Sequence, residues 1–121
     1  MKKQYTAETF TFYSDPGHAW LKVSFMDIHR VGLGITTDFS GYSYYKWDKE
    51  DSTGFAYLEE DCDAGIFLAA YYGKFKAMPR IARNDSYEDS FIRGLQRLPR
   101  GKAFEANMKA ALQALREVKA A

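Results

Sequence analysis

The sequence predicts an α+β fold: a four- to five-stranded, mainly antiparallel sheet of two hairpins, with helices packed on one face and a C-terminal helical pair. Two observations predict this class. Apolar residues alternate with period two over much of residues 1–60, and they recur at helical spacing over residues 61–121. The length of 121 residues fits one domain, so we expect a single unit with an acidic, β-rich half followed by a basic, mainly helical half.

The first hairpin is predicted over residues 8–23. Alternation at residues 8–13 places Phe10 and Phe12 on one face of a strand, and residues 18–23 continue the alternation. Between them, Ser14-Asp15-Pro16-Gly17 supplies a side-chain acceptor, a fixed φ and a residue that tolerates positive φ. These are the requirements of a tight turn.

A short helix and a second hairpin follow. Ser24 and Asp27 have the S-x-x-D spacing of a helix start, and Gly32 suits a left-handed cap at the helix end. Residues 42–47 form the most aromatic strand, and residues 55–59 are predicted to return beside it after a polar loop.

The second half of the chain is predicted to hold three helices and one short strand. A helix covers about residues 61–75, and residues 79–83 indicate an edge strand, because proline is accepted at a first strand position. Further helices are predicted over residues 86–98 and 102–119.

The last helix carries an apolar seam at heptad-like spacing. Such a seam suits either packing on the domain core or pairing with a second copy in a homodimer. Its members are Phe104, Met108, Ala111, Leu115 and Val118.

Charge is divided unevenly along the chain. Residues 1–73 carry 6 Lys and Arg against 11 Asp and Glu, whereas residues 74–121 carry 11 against 5. The halves therefore have net charges of −5 and +6, which favours either mutual attraction or opposite faces for partners. Uneven sampling of surface charge by chance is the alternative.

The sequence also predicts the compartment. No apolar run approaches the roughly 20 residues that span a bilayer, and the Met-Lys-Lys start leads into no apolar signal core. We therefore expect a cytoplasmic protein that does not contact membranes. The single cysteine, Cys62, cannot form an internal disulfide, which agrees with a reducing compartment.

The stretch from Tyr57 to Asp63 carries four carboxylates in five residues. These acids could bind a hard cation together with Asp15, or they could complement the macrodipole of the helix that begins here. We favour the second interpretation and predict neither a metal nor a cofactor. His18, His29 and Cys62 are too few for a structural zinc site.

Two residues could take part in catalysis. A thiol at a helix N-terminus, such as Cys62, has a lowered pKa, but the flanking carboxylates oppose this, so we expect a buried and unreactive thiol. His18 could act as a general acid or base oriented by Asp15, or it could bond locally at the end of the hairpin. We favour the local role and predict no catalytic residue.

Two candidate binding faces remain. The acidic and aromatic face comprises Tyr42, Tyr44, Trp47, Asp48, Glu59, Glu60, Asp61 and Asp63. The basic face comprises Arg93, Arg97, Arg100, Lys102, Lys109 and Arg116, which we expect to form stripes on the last two helices. Such stripes can neutralise phosphates while exposed aromatic rings stack on bases, or they can be solvated helix faces. The pI of about 7.8 is below that typical of nucleic-acid modules.

Three segments carry a resemblance: Ser14-Asp15-Pro16-Gly17-His18-Ala19-Trp20-Leu21, Ser40-Gly41-Tyr42-Ser43-Tyr44 and Tyr57-Leu58-Glu59-Glu60-Asp61-Cys62-Asp63. Their order and spacing resemble a group of small uncharacterised proteins encoded by bacteriophages, prophages and plasmids. The resemblance covers about residues 8–75. It implies a small accessory protein acting in a bacterial cytoplasm and transfers no functional residue.

These observations lead to three functional hypotheses. The first is a non-enzymatic accessory protein of a mobile element that binds a host protein or protein–nucleic-acid complex, with inhibition of CRISPR or restriction as one form. The second is a module that binds nucleic acid directly through the basic C-terminal helices. The third is a small hydrolase or nuclease using Asp15, His18 and acidic residues 59–63.

Overall fold

The computed structural model describes residues 8–50 and 53–120. The predictions for the extreme N-terminus, for Asp51 and Ser52 in the polar loop, and for the Val118 side chain lie outside the described residues. The elements in chain order are β1 (Thr9–Ser14), β2 (Ala19–Ser24), α1 (Phe25–Arg30), β3 (Tyr44–Asp48), β4 (Thr53–Glu59), α2 (Asp63–Phe75), β5 (Arg80–Asp85), a 3₁₀ turn (Phe91–Gly94), β6 (Gln96–Arg97) and α3 (Phe104–Ala120).

The six strands form one mixed sheet in the order β5-β1-β2-β4-β3-β6. The α+β class is confirmed, although the sheet has six strands where four to five were predicted. Both hairpins, β1–β2 and β3–β4, form as expected. The edge strand expected at 79–83 is β5, which pairs parallel to β1 from Thr9 opposite Arg80 to Ser14 opposite Asp85.

The two faces of the sheet bury different clusters. One face carries the main core, in which Leu21 and Leu58 pack with Phe67 and Tyr71 of α2. This is the face on which the helices pack, and strand alternation predicts its members. The opposite face carries a second cluster, made of Trp20, Tyr44, Tyr57 and Ile92.

The second cluster exists because the chain crosses the sheet. β5 and β6 form the two edges of the sheet, so the connection between them, residues 86–95, passes over the four central strands. We call these residues the crossing segment. Its Ile92 is fully buried on the second cluster.

The helix predicted over residues 86–98 is wrong. Five strand spacings separate the two sheet edges, about 24 Å. The ten residues of the crossing segment would advance only about 15 Å as an α-helix, so a helix could not cover that distance. The segment is instead a single 3₁₀ turn followed by β6, which places Gln96 opposite Tyr45 and Arg97 opposite Tyr44.

The signals for the first two helices are confirmed. Ser24 caps α1 by accepting the backbone N–H of Asp27 at 3.0 Å, and Gly32 just past its end has φ of 86°. The helix expected at about 61–75 runs from Asp63 to Phe75, with Cys62 at the N-cap position.

The apolar seam of α3 is used within the domain. Phe104 and Met108 pack against the main core and Ala111 is buried in it, next to α2. Core packing is therefore the role of the described part of the seam. Among the described residues, no helix combines the length and the apolar character needed to cross a membrane.

Candidate functional site

An open cleft of about 480 Å³ lies beside the second cluster, at the end of the sheet where β2 begins and β4 ends. The crossing segment and β6 form one wall, the β4–α2 junction forms another, and α3 contributes apolar side chains. The lining residues are His18, Trp20, Tyr42, Tyr44, Glu59, Asp61, Cys62, Arg93, Arg97, Phe104 and Met108.

The floor of the cleft is aromatic. Trp20 and Tyr44 meet edge to face at 6.2 Å between ring centroids, and each is less than one-tenth exposed. Tyr44 was expected to be exposed, and that expectation is wrong because the crossing segment and β6 cover its face. Tyr42, by contrast, is 66% exposed and stands at the rim.

Three arginines of the expected basic stripe each lie over a different aromatic ring. Arg93 lies 5.5 Å from the ring centre of Trp20, Arg97 5.5 Å from that of Tyr44, and Arg100 5.6 Å from that of Phe104. They lie in the 3₁₀ turn, in β6 and in the connection between β6 and α3, so they do not form a stripe on a helix. Their guanidiniums lie over the aromatic walls, and these contacts restrict where their N–H groups can point.

The first of these arginines is neutralised by Asp15. The Asp15 side chain is fully buried and accepts hydrogen bonds from Arg93 Nε at 2.6 Å and Arg93 Nη2 at 2.9 Å. It also accepts the backbone N–H groups of Gly17, His18 and Ser90, each at 3.0 Å. The hydrogen bonds from Arg93 hold the pKa of Asp15 well below its usual range. Asp15 therefore joins the hairpin turn to the crossing segment.

His18 faces Glu59, not the carboxylate of Asp15. Its Nδ1 lies 3.9 Å from Glu59 Oε1, while Asp15 receives only its backbone N–H. The alternative in which Asp15 orients the imidazole is therefore not observed, and the backbone of His18 bonds locally to Asp15, as we favoured. The pairing follows from the sheet register, in which Trp20 lies opposite Glu59.

Glu59 is held at the cleft by its Oε2 atom. This oxygen accepts the backbone N–H of Asp61 at 2.9 Å and the thiol of Cys62 at 3.3 Å. Burial raises the pKa of Glu59, and these two hydrogen bonds oppose the rise. The side chain is only 10% exposed, and that exposure is toward the cleft.

Cys62 lines the cleft as a half-buried thiol. Burial raises its pKa to about 12, and the charges of Asp63 and Glu59 add to the rise. A hydrogen-bond contact with Ser40 Oγ at 3.5 Å acts in the other direction. At neutral pH the thiolate is therefore scarce, as the sequence predicted, although the side chain reaches the cleft.

Asp63 does not belong to a binding face. It is fully buried and accepts hydrogen bonds from the Ser40 backbone N–H at 2.9 Å, from the Ser40 hydroxyl at 2.6 Å and from the Ser43 hydroxyl. Ser43 in turn accepts the backbone N–H of Glu59. Asp63 therefore fixes the 40–43 loop against the end of β4, which positions Glu59.

Glu60 and Asp61 are exposed, next to Glu59. One oxygen from each of these three carboxylates lies within 4.8 Å of the other two. Three oxygens from one turn of chain are fewer than the six to eight that Ca²⁺ takes. We assign no metal to this cluster.

The remaining predicted site residues lie outside the cleft. Trp47 stacks on Phe25 at 6.0 Å, on the opposite side of the sheet from Tyr44, and Asp48 ends β3. The acidic and aromatic residues are therefore not one surface. The expected basic residues Lys102, Lys109 and Arg116 are exposed on or just before α3.

Sequence reasoning missed Trp20, Phe104 and Met108 as cleft residues. The period-two signal placed Trp20 on the same face as His18, which was the available clue. Phe104 and Met108 were assigned to a seam, and they serve both the core and the cleft wall.

No protein-family model, curated protein or solved structure matches this chain.

Proposed function

We propose that this chain is a non-enzymatic binding protein of a mobile genetic element, which accepts part of a host macromolecule in the cleft. The single observation that carries the proposal is the composition of the cleft. An aromatic floor separates a carboxylate wall, with Glu59 and Asp61, from a guanidinium wall, with Arg93 and Arg97. Apolar cavities with a few convergent polar groups are the usual form of ligand sites.

The cleft is better suited to binding than to nucleophilic chemistry. Its thiol has a pKa of about 12, and Arg93 is occupied by Asp15. A thiol that is rarely ionised is a poor nucleophile. An arginine held by a buried carboxylate is a fixed recognition group.

The resemblance to phage, prophage and plasmid proteins gives the biological context of the proposal. The host is a bacterium, the compartment is its cytoplasm, and the partner is a host protein or protein–nucleic-acid complex. Inhibition of a CRISPR or restriction system is the form we propose. A homodimer formed through α3 is also part of the proposal, and it would use exposed residues of the helix such as Leu112, since the described seam packs on the core.

A matched pair of tyrosine variants tests cleft binding. Tyr42 is 66% exposed at the rim, and Tyr87 is 99% exposed outside the cleft, so neither Tyr→Ala change disturbs the core. Bait protein is incubated with bacterial lysate, and the retained partner is quantified by mass spectrometry. We expect Tyr42→Ala to reduce retention at least about tenfold and Tyr87→Ala to leave it unchanged.

The host-defence part needs its own measurement. Phage plating efficiency is compared in hosts with and without an active CRISPR or restriction system, with each variant expressed. We expect wild type and Tyr87→Ala to restore plating and Tyr42→Ala to fail. Equal plating with and without the protein, across several defence systems, would remove the host-defence part of the proposal.

The geometry at His18 favours a second candidate, a small hydrolase. An imidazole beside a buried carboxylate is a common general-base arrangement, and the 3.9 Å separation can shorten when substrate binds. Turnover of a chromogenic phosphodiester is measured for wild type, His18→Gln and Asp61→Ala. A loss of about 100-fold in His18→Gln would support this candidate. Turnover that is undetectable in wild type, or equal in all three proteins, would end it.

A further inference from the structure

We propose that the chemical group recognised by the cleft is an unpaired nucleotide, with its phosphate at Arg97 and an amino group of its base at Glu59. This inference rests on the proposed binding function and names the ligand class. It places recognition in the cleft, whereas the sequence pointed to the basic residues of the C-terminal helices.

The anion end of the cleft is Arg97. Asp15 neutralises Arg93 and Glu105 pairs with Arg100 at 2.5 Å, but Arg97 forms no ion pair with any residue in the described ranges 8–50 and 53–120. Its guanidinium lies over Tyr44, 5.5 Å from the ring centre, and its N–H donors pair with no carboxylate of the described residues. A planar set of donors beside an aromatic ring is suited to a phosphate oxyanion.

The acceptor end of the cleft, which receives an N–H donor from the ligand, is Glu59. Its Oε2 already accepts two hydrogen bonds, whereas Oε1 accepts none from the residues that the structure describes. The His18 imidazole is the nearest basic group, and its Nδ1 is 3.9 Å away, which exceeds hydrogen-bond length. On a side chain that is nine-tenths buried, Oε1 is therefore left facing the cleft, where it can accept an N–H donor from a ligand.

The space between these ends suits a flat base. Trp20, Tyr42 and Phe104 line it, and the volume of about 480 Å³ is in the range of small-ligand sites. Bases stack on exposed aromatic rings, and Tyr42 is 66% exposed. A peptide segment would instead bring a row of backbone N–H and C=O groups that all require partners. The cleft offers instead the Arg97 guanidinium and the carboxylates of Glu59 and Asp61.

The free Oε1 atom of Glu59 also predicts which bases bind. Adenine, cytosine and guanine carry an exocyclic amino group that can donate to Oε1. Uracil and thymine present carbonyl oxygens beside N3–H, and a carboxylate repels these oxygens. We therefore expect the cleft to prefer amino-bearing bases.

Titrations of wild type with AMP, CMP, GMP and UMP, followed by NMR amide shifts, test the inference. We expect saturable shifts in cleft residues and roughly tenfold weaker binding of UMP. Arg97→Ala should weaken every nucleotide about tenfold while leaving the corresponding nucleosides unaffected. Lys109→Ala, an exposed cation on α3 outside the cleft, is the matched control and should change nothing.

Glu59→Gln provides a readout that a structural role would not give. The amide oxygen can keep the hydrogen bond from the Asp61 N–H, which would turn the amide N–H₂ toward the cleft. The base preference should then invert in favour of UMP. If this variant does not fold, as judged by circular dichroism, the Arg97→Ala comparison alone decides.

Two outcomes would overturn the inference. One is the absence of shifts with any mononucleotide at millimolar concentration. The other is an equal loss in Lys109→Ala and Arg97→Ala, which would assign the binding to the basic face of α3. A four-nucleotide strand, titrated in parallel, distinguishes a nucleotide within a strand from a free one. If nucleotides fail while the partner is still retained in a Tyr42-dependent way, this inference falls and the proposed function stands.

Discussion

Arg93 holds Asp15 through both carboxylate oxygens, with Nε 2.6 Å from Oδ2 and Nη2 2.9 Å from Oδ1, across 78 residues of sequence. The pair connects the first hairpin turn to the crossing segment. Arg93 also lies over the ring of Trp20. The ion pair therefore holds the crossing segment on the second cluster and fixes one wall of the cleft.

Replacing Asp15 should destabilise the fold in a pH-dependent way. Asp15→Asn leaves the Arg93 guanidinium without its buried carboxylate, and we expect a loss of about 2 kcal/mol in the free energy of unfolding at pH 7. Urea denaturation followed by far-UV circular dichroism measures it. A loss below about 0.5 kcal/mol would contradict a structural role for the pair.

The pH dependence of this loss has a definite sign. The pKa of Asp15 is lower in the folded protein than its ordinary value of 3.8, so its contribution is complete above that value. It is lost progressively as the pH falls below 3.8 toward the folded-state pKa. The difference between wild type and Asp15→Asn should therefore be constant from pH 7 to about 5 and shrink below pH 4.

Cys62 should react slowly in the folded protein. With a pKa of about 12, its thiolate is rare at pH 8, and we expect alkylation by iodoacetamide about 100-fold slower than for a free cysteine. The rate should rise about tenfold per pH unit up to pH 10. Mass spectrometry measures the modified fraction, with urea-unfolded protein as the control. Equal rates for folded and unfolded protein would refute the raised pKa.

Asp63 and Asp61 should differ sharply although they lie in one acidic stretch. Asp63→Ala leaves the Ser40 and Ser43 donors unsatisfied in a fully buried place, and we expect a loss of about 3 kcal/mol. Asp61→Ala removes an exposed side chain and should stay within about 0.5 kcal/mol of wild type. Thermal unfolding of both variants checks the difference, and equal melting temperatures would count against the anchoring role of Asp63.

Two Gly→Ala variants should change stability in opposite directions. At Gly101 a Cβ would lie 2.2 Å from the backbone carbon and oxygen of Thr37, so we expect a loss of about 3 kcal/mol or more. At Gly73, within α2, a Cβ meets no atom within 4 Å, and alanine should add about 0.5–1 kcal/mol. Calorimetry of the two variants measures both effects. Stabilisation by Gly101→Ala would show that the 37–38 backbone is free to move.

Strand alternation predicted the central part of the fold. Phe10, Phe12 and Leu21 alternate with polar or aromatic residues, and the structure places them in the main core as expected. The S-x-x-D start at Ser24 and the cap at Gly32 were predicted because capping is a local property of the chain.

The cleft could not be predicted in the same way because its pairs are distant in sequence. His18 meets Glu59 through the β2–β4 register, and Asp15 meets Arg93 through a chain crossing. The apolar spacing of Phe91, Ile92 and Leu95 is compatible with a helix, and only the distance between the two sheet edges excludes one. Periodicity carries no information about such distances.

The placement of β5 and β6 at opposite sheet edges affects how the protein is made. When about the first 75 residues have left the ribosome, both hairpins and α2 can form, but β1 and β3 are still unpaired on their outer sides. β5, the crossing segment and β6, which together supply both sheet edges and the basic wall, arrive later. The molecule is therefore exposed to strand-to-strand aggregation until its last third is synthesised, and the cleft is completed only in the final stage of folding.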